Sequence, residues 1–431
     1  MIIHVVEAGD TIELISARYS IPVERLIQEN DITNPKDLVV GQTVVIVHPL
    51  LTYTVQAGDA IAQIAKKYDV SIMQLLRNNP YLADRNTLYP GETIVISYDS
   101  DKIRKIEISG YTYPFINRDT LRKTLPFLTY LTVFNYQYTW EGNIVDIDDG
   151  EVIKLAKEYG VAPMMLLSTL SERGVGSFEV ATNMLNSVEV QERLIENVIR
   201  KLKEKGYYGL NIYLKYMRPE NRTLVEEYVK RMSKRLKEEG FRLLLTITPR
   251  TYIEGIEMTY ENMDYTVIGE NADGVLFLSY DWAYSFGPPA SGTPINIVRE
   301  VIENITSVVP HEKVYLGFPL IGYDWQLPYI PGYTMARSIT YDVAVELAAL
   351  ANVPIQYDEV SQAPYFLYTN EHGELHLVWF KDARSIDALS DLLPEYDLAG
   401  ISVWNIMRYY AQMWFIINTK FMIEKIEELN K

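Results

Sequence analysis

The stretch "GYYGLNIYLKYM", residues 206–217, follows a segment of helical apolar spacing, "VQERLIENVIRKLKEKG" (190–206), that stops at a glycine. A glycine just past the last turn is the usual end of a helix. From Tyr207 to Leu214 the chain is then largely apolar, the composition of a strand covered on both faces. Side chains alternate along a strand, so Asn211, Tyr213 and Lys215 are expected on one face. The segment reads as helix, tight turn and buried parallel strand.

The same rhythm extends in both directions. Further apolar runs lie at "IRKIEISGY" (103–111), "LTYLTVFNY" (128–136), "VAPMMLL" (161–167), "FRLLLTIT" (241–248), "ADGVLFLSY" (272–280), "KVYLGFP" (313–319) and "LAGISVW" (398–404). Amphipathic stretches such as "RTLVEEYVKRMSKRLKEEG" (222–240) separate them. Eight alternating strand–helix units predict an α/β fold, a (β/α)8 TIM barrel over residues 101–431. The gap from about 325 to 395 is too long for one helix. Within it "APYFLYT" and "LHLVWF" flank "NEHGE", which reads as a β-hairpin. A small α+β insertion between strands seven and eight is expected there.

Chemistry in such barrels sits at the C-terminal ends of the strands. The candidates are Tyr136 on strand two, Asn211, Tyr213 and Lys215 on strand four, Tyr280 and Asp281 after strand six, and Trp404 on strand eight. A buried Lys215 would need a counter-charge, and Asp281 is the expected partner.

The first hundred residues repeat. "HVVEAGDTIELISARYSIPVERLIQEN" from His4 aligns with "YTVQAGDAIAQIAKKYDVSIMQLLRNN" from Tyr53, and "LVVGQTVVI" from Leu38 with "LYPGETIVI" from Leu88. Each copy reads strand, turn, helix, helix, strand, with the Asp after the Gly as the expected N-cap. The pattern resembles the LysM module, twice: residues 1–49 and 50–98. The resemblance implies a βααβ fold that binds N-acetylglucosamine polymers such as peptidoglycan or chitin. Its groove would be formed by Gly9, Asp10, Thr11, Ile12, Leu38 and Val39 in the first copy. In the second it would be formed by Gly58, Asp59, Ala60, Ile61, Leu88 and Tyr89. Ala60 stands where the module usually has Thr. The two modules are expected to fold as separate small units and to bind glycan without the barrel.

Composition narrows the partners. The 431 residues carry a net charge of −17, which disfavours nucleic acid or an anionic membrane as the main partner. There are no cysteines and only five histidines, so no metal site is read, and no cofactor is expected. Thirty-three tyrosines suit sugar faces, although most aromatic rings serve packing. No apolar run is long enough for a membrane span and no signal peptide is read.

From Asp101 onward the chain also resembles family 18 glycoside hydrolases of the spore-cortex-lytic N-acetylglucosaminidase branch. The segments that carry this include "ISGYTYPFINRDTLRKTLPFLTYLTVF", "LSYDWAYSFGPPASGTPINIVR", "GFPLIGYDWQLPY", "QAPYFLYT", "VWFKDARSI" and "LAGISVW". The resemblance implies substrate-assisted hydrolysis. A Glu ending strand four protonates the leaving oxygen, an Asp two residues earlier orients the substrate acetamido group, a Tyr after strand six donates to its carbonyl, and a Trp on strand eight floors the sugar. Carried over, the family's "NIDFEY" falls on residues 211–216. The orienting Asp becomes Tyr213 and the general acid becomes Lys215, whereas Tyr280 and Trp404 are kept.

An ammonium with an ordinary pKa of about 10.4 is no substitute for a carboxyl poised near neutrality. General acid catalysis alone contributes roughly 10²–10⁴-fold. The sequence therefore predicts a pseudoenzyme: a binding protein for peptidoglycan or spore cortex, associated with the spore or cell wall, with a silenced barrel. The rival reading is an active N-acetylglucosaminidase using another strand-end acid, Asp281 or Asp324. A third is a structural coat protein whose barrel makes only protein contacts.

Overall fold

The structure is a computed structural model. It describes every residue except 84, 86, 170–176, 216, 249–250, 255–256, 261–263, 279–286 and 427–431, and only the backbone of 251–254 and 257–260. Eight parallel strands form one closed ring: β1 (Arg104–Thr112), β2 (Tyr130–Tyr138), β3 (Ala162–Ser168), β4 (Gly209–Tyr213), β5 (Arg242–Ile247), β6 (Gly274–Phe277), β7 (Val314–Pro319) and β8 (Gly400–Trp404). Ser109 on β1 pairs with Tyr130 on one side and Ser402 on the other, which closes the barrel.

Alternation sorts the side chains. On β3, Ala162, Met164 and Leu166 fill the barrel interior, while Met165 and Leu167 join the outer core under the helices. All seven β3 residues are buried because helices cover the outside. The helix Val188–Lys205 shows how that cover forms. Ser187 accepts from Val190 N at 3.3 Å as its N-cap, and Gly206 ends it at φ +69°, a conformation that costs glycine little. Leu194, Ile195, Val198, Ile199 and Leu202 form its buried stripe, each contributing roughly 1.5–3 kcal/mol.

Between β7 and β8 a five-stranded antiparallel sheet runs from Gly322 to Trp379 and packs on the helix Tyr341–Ala351. The expected hairpin is present as Ala363–Thr369 paired with Leu375–Trp379. The insertion is shorter than expected at its far end. The helix Ala383–Glu395 buries Ile386, Leu389, Leu392 and Leu393 in the outer barrel core, so it belongs to the barrel's ring.

Each LysM-like repeat has two helices and a two-stranded antiparallel sheet, Ile2–Val5 with Thr43–Ile46 and Pro49–Thr54 with Thr93–Tyr98. The helix caps differ from expectation. Thr11 caps the first helix, accepting from Leu14 N at 3.3 Å, and Ala60 occupies the same position without a side-chain cap. Asp10 and Asp59 instead accept from backbone N–H groups of the turn, Glu7 at 2.9 Å and Gln56 at 2.7 Å.

The repeats do not stand apart from the barrel. The helices Val23–Asn30 and Ile72–Asn78 both pack on the C-terminal barrel helix Ala411–Lys420. Gln412 Nε2 donates to Thr43 O at 2.6 Å, and Asn418 Nδ2 to Asn78 Oδ1 at 2.9 Å. Val45, Val47, Val95 and Tyr98 belong to the same apolar core as the barrel helices. These inward faces of the short strands had no local signal; they are apolar because the barrel covers them. No described helix is long and apolar enough to cross a membrane.

Candidate functional site

The C-terminal end of the barrel interior is aromatic. Trp404, half-buried at the end of β8, has Tyr111 and Phe134 each at 5.2 Å between ring centroids. Tyr113 lies edge-on to Phe134 at 4.8 Å and stacks on Phe115 at 5.2 Å. Phe115 is 70% exposed. The rings thus form a row from the interior to solvent, the kind of surface that contacts sugar faces. The row was missed in the sequence, although "YTYPF" at the end of β1 places aromatics at alternate positions 111, 113 and 115.

Beneath the row lies a closed polar triangle. Asn211 Nδ2 donates to the Tyr111 hydroxyl at 3.2 Å, Thr246 Oγ1 donates to Asn211 Oδ1 at 2.7 Å, and the Tyr111 and Thr246 hydroxyls are 2.5 Å apart. Burial raises the Tyr111 phenol above its ordinary pKa, so it stays protonated and donates to Thr246. Asn211 therefore faces inward, as expected, with its amide committed to the barrel. Nearby, Ser168 Oγ donates to Asn135 Oδ1 at 2.6 Å.

Tyr213, the last residue of β4, also points inward and is 6% exposed. Its ring packs in the interior cluster with Met164, Leu166, Leu244 and Leu276, and its hydroxyl lies 3.1 Å from Thr248 Oγ1. Lys215 departs from expectation. β4 ends before it, and the side chain is exposed. Water solvates its ammonium, so it has no need of a buried counter-charge. Tyr280 and Asp281 lie outside the described residues.

Tyr136 is not in the interior. The pairing of β2 with β3 shifts register between Val133 and Tyr136. That shift reverses the alternation, so Phe134 faces inward and Tyr136 outward. Its hydroxyl donates to Asp149 Oδ2 at 2.5 Å, beside Tyr207, and Lys205 Nζ donates to Asp149 Oδ1 at 2.7 Å. Asp149 is 1% exposed; the site is a structural clasp between barrel and helices.

Asp324 is likewise occupied. Inside the insertion, Tyr368 donates to its Oδ2 at 2.9 Å and His376 Nδ1 lies 2.8 Å from its Oδ1. At 5% exposure it is a sheet-locking carboxylate.

The two repeats present their grooves differently. Gly9 and Gly58 adopt φ +91° and +90° with open space around them, and Ile12 is buried while Ile61 is half-buried. Leu38 and Leu88 are both half-buried. Val39, however, is buried against the insertion, where Ile355 N donates to Val40 O at 2.8 Å. Its counterpart Tyr89 is 58% exposed, with the Arg85 guanidinium 4.8 Å from its ring.

Comparison with known proteins places these features. Residues 177–408 match the family model for glycosyl hydrolases family 18, and residues 4–47 and 53–97 match the LysM domain. The chain is 36% identical to the cortical fragment-lytic enzyme of Bacillus subtilis (strain 168), over 99% of each protein. It is 32% identical to the enzyme of that name from Bacillus anthracis, over 70% of each. The crystal structure of the Bacillus megaterium QM B1551 spore cortex-lytic enzyme SleL superposes with a TM-score of 0.80 at 34% identity, covering 98% of this chain and 99% of that one. The Bacillus cereus SleL structure gives 0.80 at 29% identity, over 98% and 99%.

Proposed function

The chain belongs to glycosyl hydrolase family 18 and carries two LysM domains ahead of its barrel, and on that basis we propose that it binds peptidoglycan of the spore cortex or cell wall without hydrolysing it. The LysM domains would take N-acetylglucosamine units, and the aromatic row from Trp404 to Phe115 would take a sugar at the barrel mouth.

One observation carries the reading. At the position where the family resemblance expects an acetamido-orienting carboxylate, the Tyr213 ring is packed into the barrel and its hydroxyl lies beside Thr248. Two residues on, where a general acid is expected, Lys215 stands in solvent. Substrate-assisted hydrolysis needs a proton donor at the glycosidic oxygen and a partner that holds the acetamido nitrogen. Neither side chain brings a carboxylate. Asn211, Tyr111 and Thr246 satisfy one another, so the triangle lends no acid either.

The test pairs a sedimentation assay with purified cortex peptidoglycan and a release assay with cortex fragments and a chromogenic N-acetylglucosamine oligomer. Sedimentation with the glycan and no product above a buffer blank are expected. Turnover by the unmodified chain overturns the reading and favours an active glycosidase, which the names of the Bacillus relatives would suit.

A further inference from the structure

The two LysM domains meet the rest of the chain differently at the loop before their last strand. In the first domain the insertion shuts that loop. Val39 is 7% exposed, and its side chain joins the insertion's own apolar core with Ile339, Ile355 and Phe366. Ile355 N donates to Val40 O at 2.8 Å, and Arg384 Nη2 donates to Gly41 O at 3.2 Å. A Cβ on Gly41 would lie 2.0 Å from Ile355 O, so the two backbones touch. Two successive carbonyls of the loop and the Val39 side chain are thus committed to other parts of the chain.

In the second domain the equivalent residues, Tyr89, Pro90 and Gly91, are exposed, and nothing lies within 4 Å of a Cβ on Gly91. The loop is nevertheless held. Glu92 Oε1 accepts from Tyr89 N at 2.9 Å, and Glu92 Oε2 pairs with the Arg85 guanidinium. That guanidinium lies 4.8 Å from the centre of the Tyr89 ring and 5.3 Å from that of Tyr81, within reach of cation–ring attraction. In the first domain Gln42 makes the same turn bond, Oε1 accepting from Val39 N at 3.1 Å, but it carries no charge to hold an arginine. Tyr89 is therefore an exposed aromatic plate fixed before any ligand arrives, which lowers the ordering cost of binding. Its ring offers a large apolar face, which suits the C–H face of a sugar. Glu92 balances the Arg85 charge, which suits a neutral ligand. The turn at Gly58, which the LysM pattern places on the opposite wall, is also open.

We infer that the two LysM domains have divided their tasks. The second holds the open groove for N-acetylglucosamine units, with Tyr89 as its contact ring, and the first is a clamp that fixes the insertion in place. The inference rests on the proposed glycan-binding function and narrows the LysM part of it to one domain of the pair.

The probe is chitohexaose, added to the full-length protein and read by hydrogen exchange. It should slow exchange in residues 57–61 and 87–92 and leave 8–12 and 38–42 unchanged. Tyr89→Ala, at an exposed position, should raise the concentration needed for half protection about tenfold, while any protection of residues 111–115 at the barrel mouth stays as it was. Ile355→Glu places a charge in the contact from the insertion's side, keeps the first domain's sequence intact, and should let chitohexaose protect 8–12. Equal protection of both domains in the unmodified protein overturns the division and leaves glycan binding intact. Protection of the first domain alone, or an unchanged response in Tyr89→Ala, does the same. A folded Ile355→Glu protein that is cleaved between residues 30 and 50 where the parent resists, yet shows no protection at 8–12, also overturns it, since the insertion would not be what shuts the groove. Protection at the barrel mouth alone removes both LysM grooves and the inference with them. If chitohexaose does not bind at all, the division and the glycan-binding reading fall together.

Discussion

The Tyr213 hydroxyl lies 3.1 Å from Thr248 Oγ1, tying the last inward side chain of β4 to the residue just past β5. The ring fills interior volume among apolar side chains. Its replacement changes packing as well as chemistry.

Tyr213→Asp combined with Lys215→Glu should create glycosidase activity on cortex fragments, at least roughly 10²-fold above the unmodified chain. Either change alone should do little, because groups that act as a unit are not additive. Product release measured by chromatography decides it. No gain in a folded double variant would mean that the cleft, and not only these two positions, has diverged.

Tyr136→Phe should leave glycan binding unchanged and cost about 1.5–3 kcal/mol of stability, one hydrogen bond to a buried carboxylate. Asp149→Ala should cost more, because it leaves the Tyr136 and Tyr207 hydroxyls without their buried acceptor, while Lys205 keeps its ion pair with Asp146 at 2.7 Å. Denaturant unfolding and calorimetric titration with chitobiose check both. A loss of sugar affinity in Tyr136→Phe would contradict the outward placement of that ring.

Glu29 makes the LysM seam sensitive to pH. Burial, opposed by the Tyr98 hydrogen bond and the Arg25 charge, raises its carboxyl to about 7 from an ordinary 4.5. The folded state then holds a proton that the unfolded state releases between those values. Its favourable contribution is complete below about pH 4.5 and disappears as pH rises through 7. Glu29→Gln removes this dependence. Thermal unfolding should show the variant more stable than the parent at pH 8, by up to a few kcal/mol at about 1.4 kcal/mol per unit of pKa, and equal to it near pH 4.5. A constant difference across that range would refute the assignment.

Gly41 and Gly91 occupy equivalent turns, at φ +88° and +91°. A Cβ on Gly41 would meet Ile355 O at 2.0 Å, whereas Gly91 has nothing within 4 Å. Gly91→Ala should cost only the backbone strain, on the order of 1–3 kcal/mol. Gly41→Ala should cost more and should detach the first LysM domain from the insertion. Limited proteolysis between residues 30 and 50 reads that detachment directly; equal susceptibility of the two variants would refute the close contact.

Periodicity alone determined the barrel and the repeats. Eight apolar runs separated by amphipathic helices admit few other arrangements, and the helix end at Gly206 set the start of β4. The two matching turns at Gly9 and Gly58 fixed the LysM repeat, and the inward pointing of Asn211 and Tyr213 followed from alternation. Tertiary structure decided the rest. Tyr136 faces outward because β2 shifts its pairing with β3 between Val133 and Tyr136, and one slipped residue reverses every side chain beyond it. Lys215 is solvated because β4 stops at Tyr213, an end set by its neighbours. Val39 is covered because the first LysM domain meets the insertion, whereas its counterpart Tyr89 is open.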